Sequence, residues 1–434
     1  MTPGAPVPVV FCLLSILLIP LTAAGLTLVN TGLTRSRSTA HVVLASLCAA
    51  ALAVLVFTIC GFSFTGFSGQ AAHAIVISGK PWDWLGAGRL FARSAVFDEA
   101  SVQSGGALIL LFQLFSVSLA ALIPVATGAE RWRLAGVCAS TAVLAGITFP
   151  LLAHWVWAGG WLAQLGKNYG LGRGFVDGGG AACTQSVGGL SALAIAWILG
   201  PRQGKFTSDG IPTAMPGHNA VFVLFGCTLA LAGWLGLNAS GALLFAGANI
   251  GQAALSAVNT VLCAAAGAIA ALITTRIRFG KPDASLTANG WVAGLVASSA
   301  SAAFVKPASA MLIGLVIGAL VVFAIEVVEV RMRVDDPAGA IAVHAVGGVW
   351  GLLALGMFGN FPADAGGQFL AQLVGVATLI GFILPLSYGA NLLIDRFLPQ
   401  RVTASGERQG MDLFELGAGA YPEFVTHRED FMRR

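Results

Sequence analysis

Apolar residues dominate this chain in runs of about twenty, separated by short polar stretches, from one end of it to the other. A hydrocarbon layer about 30 Å thick takes about twenty helical residues to cross. The pattern therefore predicts eleven membrane-spanning helices, over 8–30, 40–64, 102–127, 134–157, 180–200, 218–238, 250–275, 287–305, 309–330, 338–359 and 368–395. The first run lacks a basic leader and a small-residue cleavage site and is followed by Arg35 and Arg37, which makes it a span and not a signal peptide. Two connections are long, 65–100 with the aromatic PWDW and 158–179 with GKNYGLGRG, and read as loops around a vestibule. The resulting organisation is a membrane domain over 1–396 and a polar tail over 397–434.

Basic residues give the spans a direction. Arg35, Arg37, Arg131, Arg133, Arg202, Lys205, Arg276, Arg278, Lys281, Arg331, Arg333, Arg396 and Arg401 all fall on one side. The opposite side holds fewer, among them Lys80, Arg89, Arg93, Lys167, Arg173 and Lys306. The positive-inside bias then expects the N-terminus outside and the tail in the cytoplasm, in the plasma (inner) membrane, as an odd number of spans requires. Only 10% of residues are charged, against about 25% in a soluble domain, so the lipid bilayer is the chain's main surrounding. No basic tract points to nucleic acid. The seven cysteines lie in or beside apolar runs without metal-like spacing, so neither disulfides nor a metal nor any other cofactor is expected.

One polar pattern occurs twice. DGGGAACTQSVGG runs from Asp177 to Gly189 and DPAGAIAVHAVGG from Asp336 to Gly348. The aspartates coincide, as do Gly180 with Gly339, Ala181 with Ala340 and the closing Val-Gly-Gly, and Gln185 falls on His344. The copies lie in spans five and ten. A repeat of five spans is inverted, which brings the two copies together at the midplane. Asp177 and Asp336 stand at helix starts, where a carboxylate caps free N–H groups. Asp177 has a second reading, as negative potential for a cation. The paired glycines read as close packing between helices. Few other polar groups enter the spans: Gln113, Gln185 and His344, with Glu326 at the end of span nine. Trp155 and Trp157 fit either an interfacial belt or a π face for a small cation. His344, oriented by Gln185, is the best acid or base if the chain is an enzyme, but no nucleophile, metal cluster or phosphate loop accompanies it.

In order and spacing the chain resembles the ammonium transporter (Amt/Mep/Rh) family over nearly its whole length. The resemblance is carried by GLTLVNTGLTRSRS (25–38), GAERWR (128–133), AHWVWAGG (153–160), DGGGAACTQSVGGLSALAIAWILGPR (177–202), GHNAVFVLFG (217–226), GWLGLNASGAL (233–243), NGWVAGLVA (289–297), VDDPAGAIAVHAVGGVWG (334–351) and ERQGMDLFELGAGAY (407–421). It implies an all-α polytopic fold of eleven spans in an inverted 5+5 repeat, a homotrimer, and one narrow pore per subunit for ammonia/ammonium or a related small amine. A cytoplasmic regulator at the tail is a candidate partner. In the family an outer site holds ammonium between a Trp, a Ser and a Phe, and twin histidines line the pore. Here the Trp is Trp157, the Ser falls on Gly241, and the Phe falls on Ser116 with Phe115 beside it. The second gating Phe falls on Leu237, with Trp234 nearby on the same helix. The twin histidines fall on Gln185 and His344, and the tail's His-Gly-Glu on Leu416-Gly417-Ala418. Gln185 can donate and accept hydrogen bonds but cannot carry a proton as histidine does. A relay through two imidazoles is therefore interrupted. The alternatives are a membrane enzyme or a carrier for another small molecule on the same fold, or a non-conducting sensor.

Overall fold

The computed structural model describes residues 8–67, 73–93, 95–103, 105–361 and 366–421. Ten helical stretches are long and apolar enough to cross a membrane. They are α1 Val9–Leu33, α2 Ser36–Thr65, α3 Gly106–Gly128, α4 Leu134–Val156, α5 Ala181–Leu199, α6 Ala220–Phe245, α7 Ile250–Phe279, α9 Pro307–Arg331, α10 Ile341–Phe358 and α11 Gln368–Phe397. The remaining expected span is α8, Ala284–Ser301, a helix of 18 residues. Alanine, serine and glycine lower its hydropathy. It needs less, because it is packed against α7, α9 and α10 and most of its residues from Ala288 onward are buried. A helix walled off from lipid can carry serine where its hydroxyls bond back to the helix: Ser298 and Ser299 both donate to Leu295 O.

Two features were not foreseen. The connection after α2 holds a hairpin, β1 His73–Ile77 paired antiparallel with β2 Lys80–Leu85. Its two-residue turn, Ser78 and Gly79, has both residues at positive φ, the twist that matches paired strands. Trp84 of β2 stacks on Trp161, their ring centroids 5.3 Å apart, and so closes the hairpin over the mouth of the bundle. The tail up to Tyr421 is docked, while 422–434 lies outside the described residues. It forms α12 Ala404–Gln409, and beyond it Asp412 accepts the Ala40 and His41 N–H groups at the start of α2. Glu415 accepts Leu134 N–H at the start of α4 and faces His41 Nε2 at 2.8 Å.

The inverted repeat is visible where α5 and α10 cross. A methyl group on Gly189 would lie 2.9 Å from Ala345 Cα, and one on Gly348 would lie 2.7 Å from Ala181 O and overlap Ser186 Oγ. Gly189 matches Gly348, and Ser186 matches Ala345, so each contact is returned by its counterpart. Reciprocity of that kind is the signature of a twofold axis.

Candidate functional site

Both crossing helices begin in the same unusual way. Gly180 and Gly339 hold positive φ, 88° and 70°, which turns the chain into the helix. The first turn then winds with i→i+5 bonds, over Ala181–Ser186 in α5 and Ile341–Val346 in α10. Wide turns of this sort recur at functional sites, because they present side chains that regular winding would turn away. Asp177 caps the first copy: one oxygen accepts Gly180 and Ala181 N–H at 3.0 and 2.7 Å, the other Ala182 and Cys183 N–H at 2.9 and 3.0 Å. Asp336 caps the second through Ile341 N–H at 2.8 Å and takes the Thr127 hydroxyl at 2.7 Å. Asp177 is thus occupied by backbone, which accounts for it without a cation.

At the centre, Gln185 Oε1 and His344 Nδ1 lie 2.8 Å apart, both side chains buried. The amide oxygen accepts only, so His344 carries its proton on Nδ1 and keeps a lone pair on Nε2. Among the described residues Gln185 Nε2 has no partner. The buried Thr184 hydroxyl beside it is also unpaired, as are the Ser116 hydroxyl and both polar atoms of Gln113 on α3. Two contacts set the register of α3 against α5. Phe112 meets Trp157, which lies over Gly180, and Ala120 meets Gly188. Both pairs differ by the same number of residues, so the two helices run in parallel and Ser116 lies level with Thr184. Unpaired buried hydroxyls and amides are costly in an apolar bundle.

The hairpin-side mouth is sealed by aromatic rings. Trp157 donates its N–H to Asp177 O at 2.7 Å and is 2% exposed, which places it in the interior and not in an interfacial belt. Phe245 stacks flat on it, centroids 4.5 Å apart at 15°, while Phe112 and Phe149 present edges at 5.7 and 6.1 Å. Arg173 donates to Ala246 O at 3.0 Å, which sets a guanidinium beside this seal. Gly241, one turn before Phe245, has no room for a side chain, since a methyl group there would overlap Gly178 O. Leu237 continues the same stripe one turn deeper and is fully buried. Trp234 points elsewhere and donates to Ser299 Oγ at 2.8 Å, a packing role between α6 and α8. Phe115 is also outside the site. It lines an outer groove with Ile19, Leu47, Val54 and Ser118, while Ser116 faces inward. Phe112 and Phe245 are the site aromatics that sequence reasoning missed. The signal for Phe245 was its position four residues after Gly241.

On the tail side the two repeats are tied by charge. Arg202 donates to Asp335 through Nε and Nη2 at 2.9 and 3.0 Å and to Glu130 through Nη1 at 2.5 Å. Arg131 reaches Asp335 O and Gly200 O at 2.8 and 2.7 Å. Burial pushes the Asp335 carboxyl up, but the charges of Arg131 and Arg202 and the bonds from Arg202 outweigh it and hold the group at about 2.

Comparisons with known proteins agree with this architecture. The model of the Ammonium Transporter Family matches residues 10–421. The ammonium transporter Amt2 of Archaeoglobus fulgidus is 33% identical, over 98% of this chain and 90% of its own length. The ammonium transporter of Bacillus subtilis is 29% identical, over 95% and 98%. Among solved structures, a sensor Amt protein superposes with a TM-score of 0.83 at 28% identity, covering 94% of this chain and 98% of its own. Candida albicans Mep2 superposes at 0.80 with 23% identity, covering 96% and 91%, a likeness of fold.

Proposed function

Because the chain belongs to the ammonium transporter family, whose members here support ammonium transport through the membrane, we propose that the species crossing its midplane is neutral ammonia or a related small amine, hydrogen-bonded in turn to Gln185 and His344. One observation carries the reading: Gln185 Oε1 is spent on His344 Nδ1, which leaves Gln185 Nε2 as a free donor. The guest then meets a donor on one side and the His344 Nε2 lone pair on the other. Ammonia has both a lone pair and N–H groups and satisfies both partners. Ammonium has no lone pair and leaves the Gln185 donor unpaired, besides bringing a charge into a low-dielectric passage.

The hairpin-side mouth favours the same guest. Trp157 has its face covered by Phe245, no hydroxyl can stand at Gly241, and Arg173 adds a positive charge nearby. Nothing there replaces the hydration shell of a cation, so the proton is left outside. The tail side is taken as cytoplasmic from its basic residues, the membrane as the plasma membrane, and the assembly as a homotrimer by family likeness.

Proteoliposomes test this. An inward ammonia gradient is expected to alkalinise the lumen faster than lipid alone, without electrical current, while Gln185→His gives methylammonium current. Current in the wild type equal to that of Gln185→His, or no alkalinisation above protein-free vesicles, refutes it. A signalling output is the second reading, favoured by the tail docked on the starts of α2 and α4 and by the likeness to a sensor Amt protein. It predicts that ammonium changes protease access to the tail.

A further inference from the structure

Arg173 stands in the hairpin-side connection, four residues before Asp177, and its backbone is clamped by one side chain. Arg173 N–H donates to Gln368 Oε1 at 3.0 Å, and Gln368 Nε2 donates to Gly174 O at 2.8 Å. Gly172 and Gly174 flank it at positive φ, 54° and 80°. A methyl group on Gly174 would overlap Ala163 O, so the chain here is tightly packed. The backbone that carries Arg173 is thus fixed against the start of α11.

The side chain is fixed as well. Nη2 donates to Ala246 O at 3.0 Å, and the guanidinium carbon lies 5.8 and 5.9 Å from the ring centroids of Phe304 and Phe361. These two rings stack on each other, 5.3 Å apart at 29°. A cation within about 6 Å of an aromatic centroid is attracted to its face, so the guanidinium takes aromatic surface that an incoming cation would otherwise use. Two routes link it to Trp157. Ala246 follows Phe245, which covers the indole at 4.5 Å, and the Asp177 carbonyl accepts the indole N–H.

Charge at this mouth is unbalanced. On the tail side Arg35, Arg202, Lys205 and Arg401 each face a carboxylate. Among the described residues Arg173 faces none, and the Asp177 carboxylate is already answered by four backbone N–H groups. Arg173 is exposed, so its charge meets the water at the entrance. The low-dielectric walls of the bundle focus the field of a fixed charge into such an opening.

We propose that Arg173 sets charge selectivity at the hairpin-side mouth: it is a resident cation that holds the faces of Phe304 and Phe361 and repels a second cation from Trp157. A neutral amine meets no such repulsion, so the mouth sorts a base from its conjugate acid before either reaches Gln185. That ammonia is the guest admitted rests on the pore reading above; the fixed charge does not.

Tetramethylammonium is the probe, because it binds aromatic faces and has no proton to lose. Its radiolabelled form is dialysed against the full chain in nanodiscs, with Phe245→Leu as the parent so that one face of Trp157 is open. Adding Arg173→Gln is expected to tighten binding about threefold or more, and Arg173→Glu about tenfold or more. Arg173→Lys keeps the charge and should stay within about twofold of the parent. In about 1 M salt, where the screening length is about 3 Å, the variants should converge. Melting curves confirm folding. Where a variant does not fold, the salt dependence of the parent decides: repulsion by Arg173 makes its binding rise with salt, and no rise overturns the proposal. No tightening in a folded Arg173→Gln, or Arg173→Lys behaving as Arg173→Gln, also overturns it. If the charge order holds in a protein whose wild type passes no ammonia, the pore reading falls and Arg173 keeps its role. Ammonia flux without the charge order removes the role and leaves the pore reading intact.

Discussion

Gly347 and Gly348 are neighbours on one helix, yet an added methyl group should meet opposite outcomes at the two. At Gly347 it would lie 3.3 Å from Val296 Cγ1, a side-chain methyl that can yield by a few tenths of an ångström. At Gly348 it would overlap Ser186 Oγ and lie 2.7 Å from Ala181 O. The hydroxyl can rotate, at the loss of its 2.8 Å bond to Ala181 O. The carbonyl belongs to the first turn of α5 and cannot move alone. Both substitutions gain the same helix propensity, about 1 kcal/mol. Restoring ordinary contact, 3.4 Å or more, means that α5 and α10 separate by over half an ångström. A gap of that size forfeits a quarter or more of the dispersion attraction across it, and overpacked sites lose about 1–3 kcal/mol.

Gly348→Ala should therefore be less stable than Gly347→Ala by about 1–3 kcal/mol. It should also lose ammonia flux, because the same separation stretches the 2.8 Å Gln185–His344 bond toward the limit of useful geometry. Thermal unfolding of the two variants in one detergent, followed by tryptophan fluorescence, gives the first comparison, and stopped-flow alkalinisation of proteoliposomes gives the second. The adjacent variant controls for propensity, hydrophobicity and expression. Equal melting of the two variants would refute the claim that α5 and α10 touch backbone to backbone at Gly348.

Gly241→Ser restores a family residue but places its Cβ against Gly178 O, so it should destabilise by about 1–3 kcal/mol without creating methylammonium binding at Trp157. Tighter binding in a dialysis assay would refute this. Phe245→Leu uncovers one face of Trp157; it should red-shift the tryptophan emission and admit bulkier amines, read as methylamine-driven alkalinisation relative to ammonia. Asp335→Asn leaves Arg131 without its carboxylate and Arg202 with Glu130 alone, and should lower stability by about 3–5 kcal/mol at neutral pH. With the folded carboxyl at about 2 and an unfolded value of about 3.9, the stabilisation is complete above about pH 4 and is lost as pH falls through about 2. The gap in melting temperature between wild type and Asp335→Asn should hold from neutral pH to about 5 and shrink below about 4.

What could be read from sequence followed from how strictly lipid constrains a chain. Spans were legible because crossing the hydrocarbon layer fixes a length, and the expected span over 287–305 coincides largely with a helix, Ala284–Ser301, whose serines lower its hydropathy. The repeat was legible because two capping aspartates, two positive-φ glycines and two close-packed glycine pairs need particular residue types. The aromatic seal was not, because a phenylalanine in an apolar span looks the same whether it meets lipid, core or pore. Phe112 and Phe115 are three residues apart on one helix, yet Phe112 meets Trp157 while Phe115 lines an outer groove, and only the contacts of α3 distinguish them. The hairpin did leave a trace in the Ser78-Gly79 turn between AIVI and WDWL, within a segment otherwise read as loop.

A pore with one imidazole differs from one with two in what it can reverse. Two imidazoles sharing a proton can exchange tautomers, so either can be donor or acceptor and a proton can pass along them. With its oxygen on His344 Nδ1, Gln185 sets the histidine as a donor there and an acceptor at Nε2, and the amide has no titratable proton of its own to pass on. The guest is aligned but no proton moves through the pair. On the proposed function, a protein with that centre has no use for a cation delivered at the hairpin-side mouth, because its proton could not follow. The outer departures then follow from the inner one. Gly241, which allows α6 to close on Gly178, and Phe245, which covers Trp157, remove a recruiting site that a twin-imidazole pore would need.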